Sequence, residues 1–79
     1  MKHARRDYDR IQDPEHKIPE EEPVFLLRGQ DKLAPDLIRQ WALQLLSKGG
    51  SGVMAEMAMK HADKMEAWQT RYGAKVPDL

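Results

Sequence analysis

The fold of this chain follows mainly from residues 35–72, which read PDLIRQWALQLLSKGG and then SGVMAEMAMKHADKMEAWQTRY. Apolar side chains recur in both halves at intervals of three or four residues, which is the spacing of a helix face. The glycine-rich turn 49–52 separates the two patterns. Pro35 suits the first turn of one helix, and Ser51 suits the N-cap of the next. The stretch therefore predicts helices at about 35–48 and 52–72, folded into an antiparallel hairpin.

The N-terminal third of the chain has a different character. Residues 1–22 are highly charged and contain few apolar side chains. Pro14 and Pro19 each disfavour a helix at the preceding residue. We expect an extended, irregular, charged N-terminal segment over residues 1–22 and a small helical domain over residues 23–79. The predicted fold class is mostly α.

A short element at about 24–28 is ambiguous from sequence. It is too short for periodicity to distinguish a buried strand from one or two helical turns. We lean towards helical turns, because Glu22-Pro23 resembles a helix start and Gly29 is well placed as a stop. A strand would need Tyr8–Gln12 or a second subunit as its partner.

The composition of this 79-residue chain argues against several classes of protein. It has no cysteine, so it has neither disulfides nor a thiolate zinc site. Its 13 basic and 13 acidic side chains balance, which makes nucleic-acid binding a weak expectation. The longest apolar run, Val24–Leu27, is far shorter than the roughly 20 residues of a membrane span. Asp7, rather than an apolar stretch, follows the basic start, so we expect no secretory signal and a cytoplasmic location.

No motif of a catalytic or metal site is present in the sequence. There is no glycine-rich phosphate loop, no nucleophile motif and no calcium loop. The turn 49–52 lacks the Lys-Ser/Thr ending of a phosphate loop. The three histidines match no metal-ligand spacing. We therefore expect a protein that binds rather than an enzyme, without a metal or cofactor.

The second helix carries an apolar stripe with heptad-like spacing. Its members are Met54, Met57, His61, Met65 and Trp68. A chain of this size rarely builds a sufficient core alone, and small scaffolds often associate instead. We expect this stripe to form the interface of a homo-oligomer, with core packing as the alternative for the same side chains.

A group of basic and polar residues suggests a ligand site. Its members are Arg5, Arg6, Tyr8, Arg10, Arg28, Gln30 and Asp31. Arginine presents a planar fork of donors that suits phosphate or carboxylate. If the N-terminal segment folds back near residues 28–32, these side chains form a pocket for a phosphorylated small molecule. The alternative is solvated charge, because aspartates interleave with the arginines.

Four strings of the sequence carry a resemblance to a known family. They are HARRDY at 3–8, RIQDP at 10–14, PVFLLRGQD at 23–31 and HADKMEAW at 61–68. Together they resemble small phage and prophage proteins that share the pattern HAR-x-DY-x-RIQDP, EPVFLLR-x-QD and HA-xx-M-xx-W. The resemblance spans residues 3–68 and implies a phage setting rather than a mechanism.

In size and helical character the chain is also similar to phage counter-defence proteins that sequester nucleotide signals in arginine-lined pockets. This likeness lies at the level of fold, which does not fix function. Our first hypothesis is therefore a protein that sequesters a phosphorylated, nucleotide-like signal. In it, Arg5, Arg6 and Arg28 contact phosphates, Tyr8 stacks, and Gln30 or Asp31 recognises a base or ribose.

Two other functions remain open. The hairpin could inhibit a host protein by direct contact. It could also be a small DNA-binding protein, because the turn 49–52 is glycine-rich, as helix-turn-helix turns can be. We rank that reading third, since residues 53–57 offer no side chain suited to base recognition.

Overall fold

The structure is a computed structural model that describes residues 1–8 and 13–78. Along the chain it contains strand β1 (Lys2–His3), a short 3-10 helix (Arg6–Tyr8), strand β2 (Pro23–Val24), helix α1 (Ala34–Ser47) and helix α2 (Gly52–Tyr72). The two long helices pack against each other as an antiparallel hairpin. The predicted mostly α fold is confirmed, and the helices begin and end within one residue of the expected positions.

The helix ends follow the local sequence. Pro35 lies in the first turn of α1, as predicted. The Ser51 side chain accepts a hydrogen bond from the Met54 backbone N–H at 3.1 Å, which caps α2. Gly49 has a φ of 76°, a left-handed conformation that glycine adopts without a steric penalty. These residues explain why the chain reverses between the helices.

Small residues form the contact between the two helices. Ala34, Ala42, Ala55 and Ala62 are buried, and no large side chain among the described residues is fully buried. Alanine lets two helix backbones approach closely, but it contributes little apolar area. The hairpin therefore has a close helix contact and a thin core.

Arg39 links the helices through charge. Its guanidinium pairs with Asp63 at 2.7 Å and with Glu66, both on α2. Hydrogen bonds with Glu66 and then Asp63 raise the pKa of Arg39 above its usual value. This forked contact fixes the register of α1 against α2.

The element at 24–28 contains no helical turn, so the leaning towards helical turns is wrong, and only its first residue belongs to a strand, β2. β2 pairs in parallel with β1, with Lys2 opposite Pro23, and the Lys2 N–H donates to the Glu22 carbonyl at 2.7 Å. Residues 25–28 have no regular secondary structure. Pairing with β1 at the start of the chain satisfies part of the extended backbone. The other partner expected from the sequence, Tyr8–Gln12, lies outside the described residues except for Tyr8.

The C-terminal segment returns to the turn that precedes α1. The Lys75 N–H donates to the Gln30 carbonyl, and the Lys32 N–H donates to the Lys75 carbonyl, both at 2.9 Å. The Gln69 side-chain amide donates to the carbonyls of Gly29 at 2.8 Å and Asp31 at 2.9 Å. These bonds hold residues 29–32 and the segment after α2 at a fixed separation.

Neither helix in the described part of the chain combines the length and the apolar content that crossing a membrane requires.

Candidate ligand-binding cavity

A cavity of about 310 Å³ lies where three segments of the chain meet. The segments are the N-terminal 3-10 helix, the stretch that follows β2, and the C-terminal segment after α2. Its lining residues are Arg5, Tyr8, Phe25, Leu26, Arg28, Gln30, Asp31, Lys75, Pro77 and Asp78. This volume falls at the small end of the range for ligand pockets, about 300–1,000 Å³.

Five of the seven residues predicted from sequence to bind a ligand line this one cavity. They are Arg5, Tyr8, Arg28, Gln30 and Asp31. Arg6 is exposed on the same 3-10 helix but does not line the cavity. Arg10 lies outside the described residues. The N-terminal segment does therefore fold back towards residues 28–32, although not every arginine takes part.

Arg5 joins two walls of the cavity. Its Nη1 donates to the Asp78 backbone carbonyl at 3.0 Å, and its guanidinium lies 4.8 Å from the centre of the Tyr8 ring. A cation over an aromatic face is a favourable contact that also fixes the orientation of both groups. Arg5 thus connects the N-terminal 3-10 helix to the C-terminal segment.

Lys75 and Asp78 form an ion pair at the cavity, with Nζ 2.9 Å from Oδ1. The hydrogen bond and charge of Lys75 lower the pKa of Asp78 below its usual value, and the charge of Arg5 adds to this. Asp78 is therefore ionised at neutral pH. It partly neutralises the positive charge that an anionic ligand would meet.

Arg28 and Phe25 are exposed residues of the cavity whose side chains suit a ligand. Arg28 is exposed, and no hydrogen bond or ion pair of its side chain occurs within residues 1–8 and 13–78. Phe25 has 73% of its surface exposed, which is unusual for a large aromatic side chain. Together they present a fork of donors and an open ring face at one site.

Asp31 has a structural role in addition to its place in the cavity wall. It is only 8% exposed, and its Oδ1 accepts a hydrogen bond from the Leu33 N–H at 2.8 Å. Its backbone carbonyl also accepts from the Ala34 N–H at 3.1 Å. Asp31 therefore stabilises the turn that leads into α1.

Sequence reasoning missed the contribution of the C-terminal segment and of Phe25. Phe25 was assigned to an apolar run, and Lys75, Pro77 and Asp78 follow the predicted end of the last helix. Nothing local to residues 75–78 indicates that they return to residues 29–32, because the pairing is made by backbone bonds.

A second, apolar groove lies on one side of the hairpin. Its lining residues are Leu27, Leu37, Ile38, Trp41, Met54, Met57, Ala58 and His61. Three of the five predicted interface residues, Met54, Met57 and His61, are among them. Met65 is half-buried, and Trp68 is exposed with its ring 4.9 Å from that of Tyr72. We refer to the groove-lining residues as the apolar face.

Among the described residues, no three His, Asp or Glu side chains converge as metal ligands would. Comparison of the chain with models of known families, with curated proteins and with solved structures found no match in any of the three.

Proposed function

We propose that this chain is a non-catalytic phage or prophage protein that binds a phosphorylated, nucleotide-like small molecule in the cavity formed by its N-terminal, middle and C-terminal segments. The observation that carries the proposal is the meeting of Arg5, Arg28 and Lys75 with two aromatic rings around one cavity. These groups come from three distant parts of the sequence.

The cationic groups suit the charged part of such a ligand. Guanidinium and ammonium donors form charge-assisted hydrogen bonds with phosphate oxygens, which are about twice as strong as neutral ones. The Arg28 side chain has no hydrogen-bond or ion-pair partner among the described residues. Lys75 releases the Asp78 carboxylate and pairs with the phosphate of the ligand instead. In this proposal the phosphate lies between Arg28 and Lys75.

The aromatic groups suit the planar part of the ligand. Stacking of a base on an aromatic side chain contributes about 1–3 kcal/mol per base. Phe25 offers an exposed face, whereas the Tyr8 ring is covered on one side by Arg5. Phe25 is therefore the stacking residue in this proposal, and Gln30 supplies side-chain donors and acceptors for a base or ribose.

The resemblance to small phage and prophage proteins gives this binding a biological setting. A non-catalytic protein that holds a nucleotide-like compound lowers the free concentration of that compound. In an infected bacterium, the effect is counter-defence by sequestration of a host signal. The three cationic groups and the absence of a catalytic motif in the sequence support binding over turnover.

Isothermal titration calorimetry with the full chain tests this function. The probes are adenosine, inorganic phosphate, AMP and ADP, titrated separately at low salt. We expect AMP and ADP to bind more tightly than either adenosine or phosphate, because only they engage both halves of the cavity. Binding should weaken as salt rises, since the contacts are charge-assisted.

Arg28→Ala and Arg71→Ala are matched variants for this experiment. Both remove one exposed arginine, but only Arg28 lines the cavity. We expect Arg28→Ala to weaken nucleotide binding about tenfold or more, because hydrogen bonds to charged groups contribute about 1.5–3 kcal/mol. Arg71→Ala should bind as the parent does. Equal binding by the two variants, or no binding of any nucleotide by the parent, would contradict the proposal.

A further inference from the structure

The apolar face has the side chains of a protein core but leaves them exposed. On α1, Leu37 and Trp41 are 47% and 49% exposed, and on α2, Met54 and Met57 are 52% and 66% exposed. The buried side chains of the two helices are those of four alanines and Pro35. The large apolar residues therefore lie beside the helix contact rather than within it.

These exposed residues lie on the same side of both helices. On α1, Leu37 and Trp41 are four residues apart. On α2, Met57 follows Met54 by three positions, and His61 follows Met57 by four. Because they line a single groove, the two stripes form one continuous apolar surface. His61 is the only titratable residue among those that line it.

The exposed area of the chain is larger than a folded monomer of its size should have. The chain exposes 6578 Å². A monomer of 9.1 kDa exposes about 4,900 Å² by the scaling of surface with mass. The excess, roughly 1,700 Å², is about twice what one partner buries in a standard protein interface. Large apolar side chains of the helices, including Leu37, Trp41, Met54 and Met57, are among the exposed groups.

The radius of gyration also indicates a chain that is less compact than a folded monomer of its size. It is 13.9 Å, whereas a compact chain of this length has about 12 Å. An open arrangement with a thin core is typical of a subunit whose core is completed by another subunit.

The chemistry of the apolar face favours a second copy of this chain as the occupant. Two identical faces bring apolar groups together and bury no unpaired acidic or basic side chain other than His61. An antiparallel hairpin with one apolar side is also half of a four-helix bundle. A two-fold axis through the face would pair each hairpin with an equivalent surface.

We propose that two copies of the chain pack through their apolar faces, so that their α1 and α2 helices form a four-helix bundle. This interface is separate from the proposed ligand cavity, since no residue lines both. An experiment can therefore support or contradict the dimer without bearing on the proposed ligand.

Sedimentation equilibrium of the full chain between about 1 and 100 μM, the concentrations at which moderate interfaces form, tests the dimer directly. We expect a dimer mass at the upper end. Leu37→Glu should raise the dissociation constant by at least about 100-fold, because it buries an unpaired carboxylate in an apolar interface. Leu43→Glu is the matched control: Leu43 is a leucine of the same helix, 57% exposed, and does not line the groove. It should dimerise as the parent does.

A second measurement covers the case in which Leu37→Glu fails to fold. The melting temperature of the parent should rise with protein concentration, because association stabilises the folded chain. A parent that is monomeric at 100 μM, with a melting temperature independent of concentration, would overturn the proposal. So would equal dissociation constants for the Leu37→Glu and Leu43→Glu proteins, and so would an oligomer larger than a dimer.

Discussion

Arg5 and Arg6 are neighbours in the sequence, but their surroundings differ. Arg5 contacts the Asp78 carbonyl and the Tyr8 ring, while Arg6 is exposed away from the cavity. Arg5 lies just before the 3-10 helix, whereas Arg6 is its first residue. Of the two, only Arg5 lines the cavity.

The Arg5→Ala and Arg6→Ala variants should therefore differ in nucleotide affinity. We expect Arg5→Ala to weaken binding about tenfold or more, because it removes a charged donor and a link between two cavity walls. Arg6→Ala should retain the affinity of the parent. Calorimetric titration with ADP measures both, and comparable losses in the two variants would contradict the cavity geometry.

Asp78 has the opposite effect on an anionic ligand. Its carboxylate pairs with Lys75 at 2.9 Å and places negative charge at the cavity. Asp78→Asn should raise the affinity for ADP severalfold, because Lys75 loses its competing partner. Glu56→Gln removes the same charge from the Glu56–Lys60 pair on α2 and should leave the affinity unchanged. A weaker affinity in the Asp78→Asn protein would contradict this role.

Asp78 also makes a pH-dependent contribution to stability. Since Lys75 lowers the pKa of Asp78 in the folded chain, its carboxylate stabilises the fold at pH values above the ordinary carboxyl pKa. That contribution is lost as the pH falls through the lowered pKa. Parent and Asp78→Asn proteins should therefore differ in thermal stability at pH 7 and converge below about pH 4, near the unperturbed aspartate pKa. If the difference in thermal stability between the two proteins stayed constant from pH 7 to below about pH 4, the Lys75–Asp78 pair would not contribute to stability.

The sequence predicted part of the lining of the candidate site, whereas its ligand remains a prediction. Arginines near an aromatic ring suggested an anionic ligand, and five of the predicted residues line one cavity. The sequence could not separate Arg5 from Arg6, because the difference depends on where the folded N-terminal segment meets the C-terminal segment at Asp78. It also could not assign Lys75, since only the folded backbone brings residue 75 next to residues 30–32.

At the scale of elements, the turn between α1 and α2 depends on Gly50. A Cβ at this position would lie 2.8 Å from Leu45 Cγ and 2.9 Å from the Leu45 carbonyl oxygen. The Gly50 N–H donates to that same carbonyl at 2.8 Å, so the two backbones are held together. A side-chain rotation cannot relieve a contact with a backbone atom.

Gly50→Ala should therefore lower the free energy of unfolding by about 1–3 kcal/mol, the usual cost of overpacking. Gly52→Ala is the matched control, because nothing lies within 4 Å of its added Cβ and it begins α2. It should be neutral or slightly stabilising. Urea unfolding of both variants at one protein concentration measures the difference, and an equal loss would mean that the turn is not tightly packed.

The alanines between α1 and α2 give a second test of the packing. Ala62 is fully buried against α1, whereas Ala67 is exposed on the same helix. Ala62→Leu should reduce the unfolding free energy by about 1–3 kcal/mol because the helices must move apart. Ala67→Leu should change it little, since leucine and alanine are both good helix formers. Circular dichroism melts measure the stability of both variants. An Ala62→Leu protein as stable as the parent would contradict the close packing of α1 and α2.

The helices could be predicted from sequence because their signals are local. Apolar spacing, Pro35 and the Ser51 cap determine where the helices begin, and all of these lie within a few residues of the boundary. The element at 23–24 is different, because its partner is twenty residues away at the start of the chain. A two-residue strand exists only through that pairing, so local propensity cannot reveal it.

At the scale of the whole molecule, the two proposed surfaces use different parts of the chain. The cavity is built from the N-terminal 3-10 helix and from segments outside α1 and α2, whereas the apolar face is built mainly from α1 and α2. Gln69 connects α2 to the cavity wall, because its side-chain amide donates hydrogen bonds to the carbonyls of Gly29 and Asp31. The helices thus provide a rigid base for the loops that form the cavity.

Two-dimensional NMR of the labelled chain during titration with ADP is the strongest test of the proposed nucleotide site. Millimolar ADP detects even weak binding, and each backbone amide reports its own surroundings. We expect saturable shifts concentrated at residues 25–31 and 75–78, with little change at Met54, Met57 and His61. Shifts confined to the apolar face, or none at any ADP concentration, would contradict the proposal.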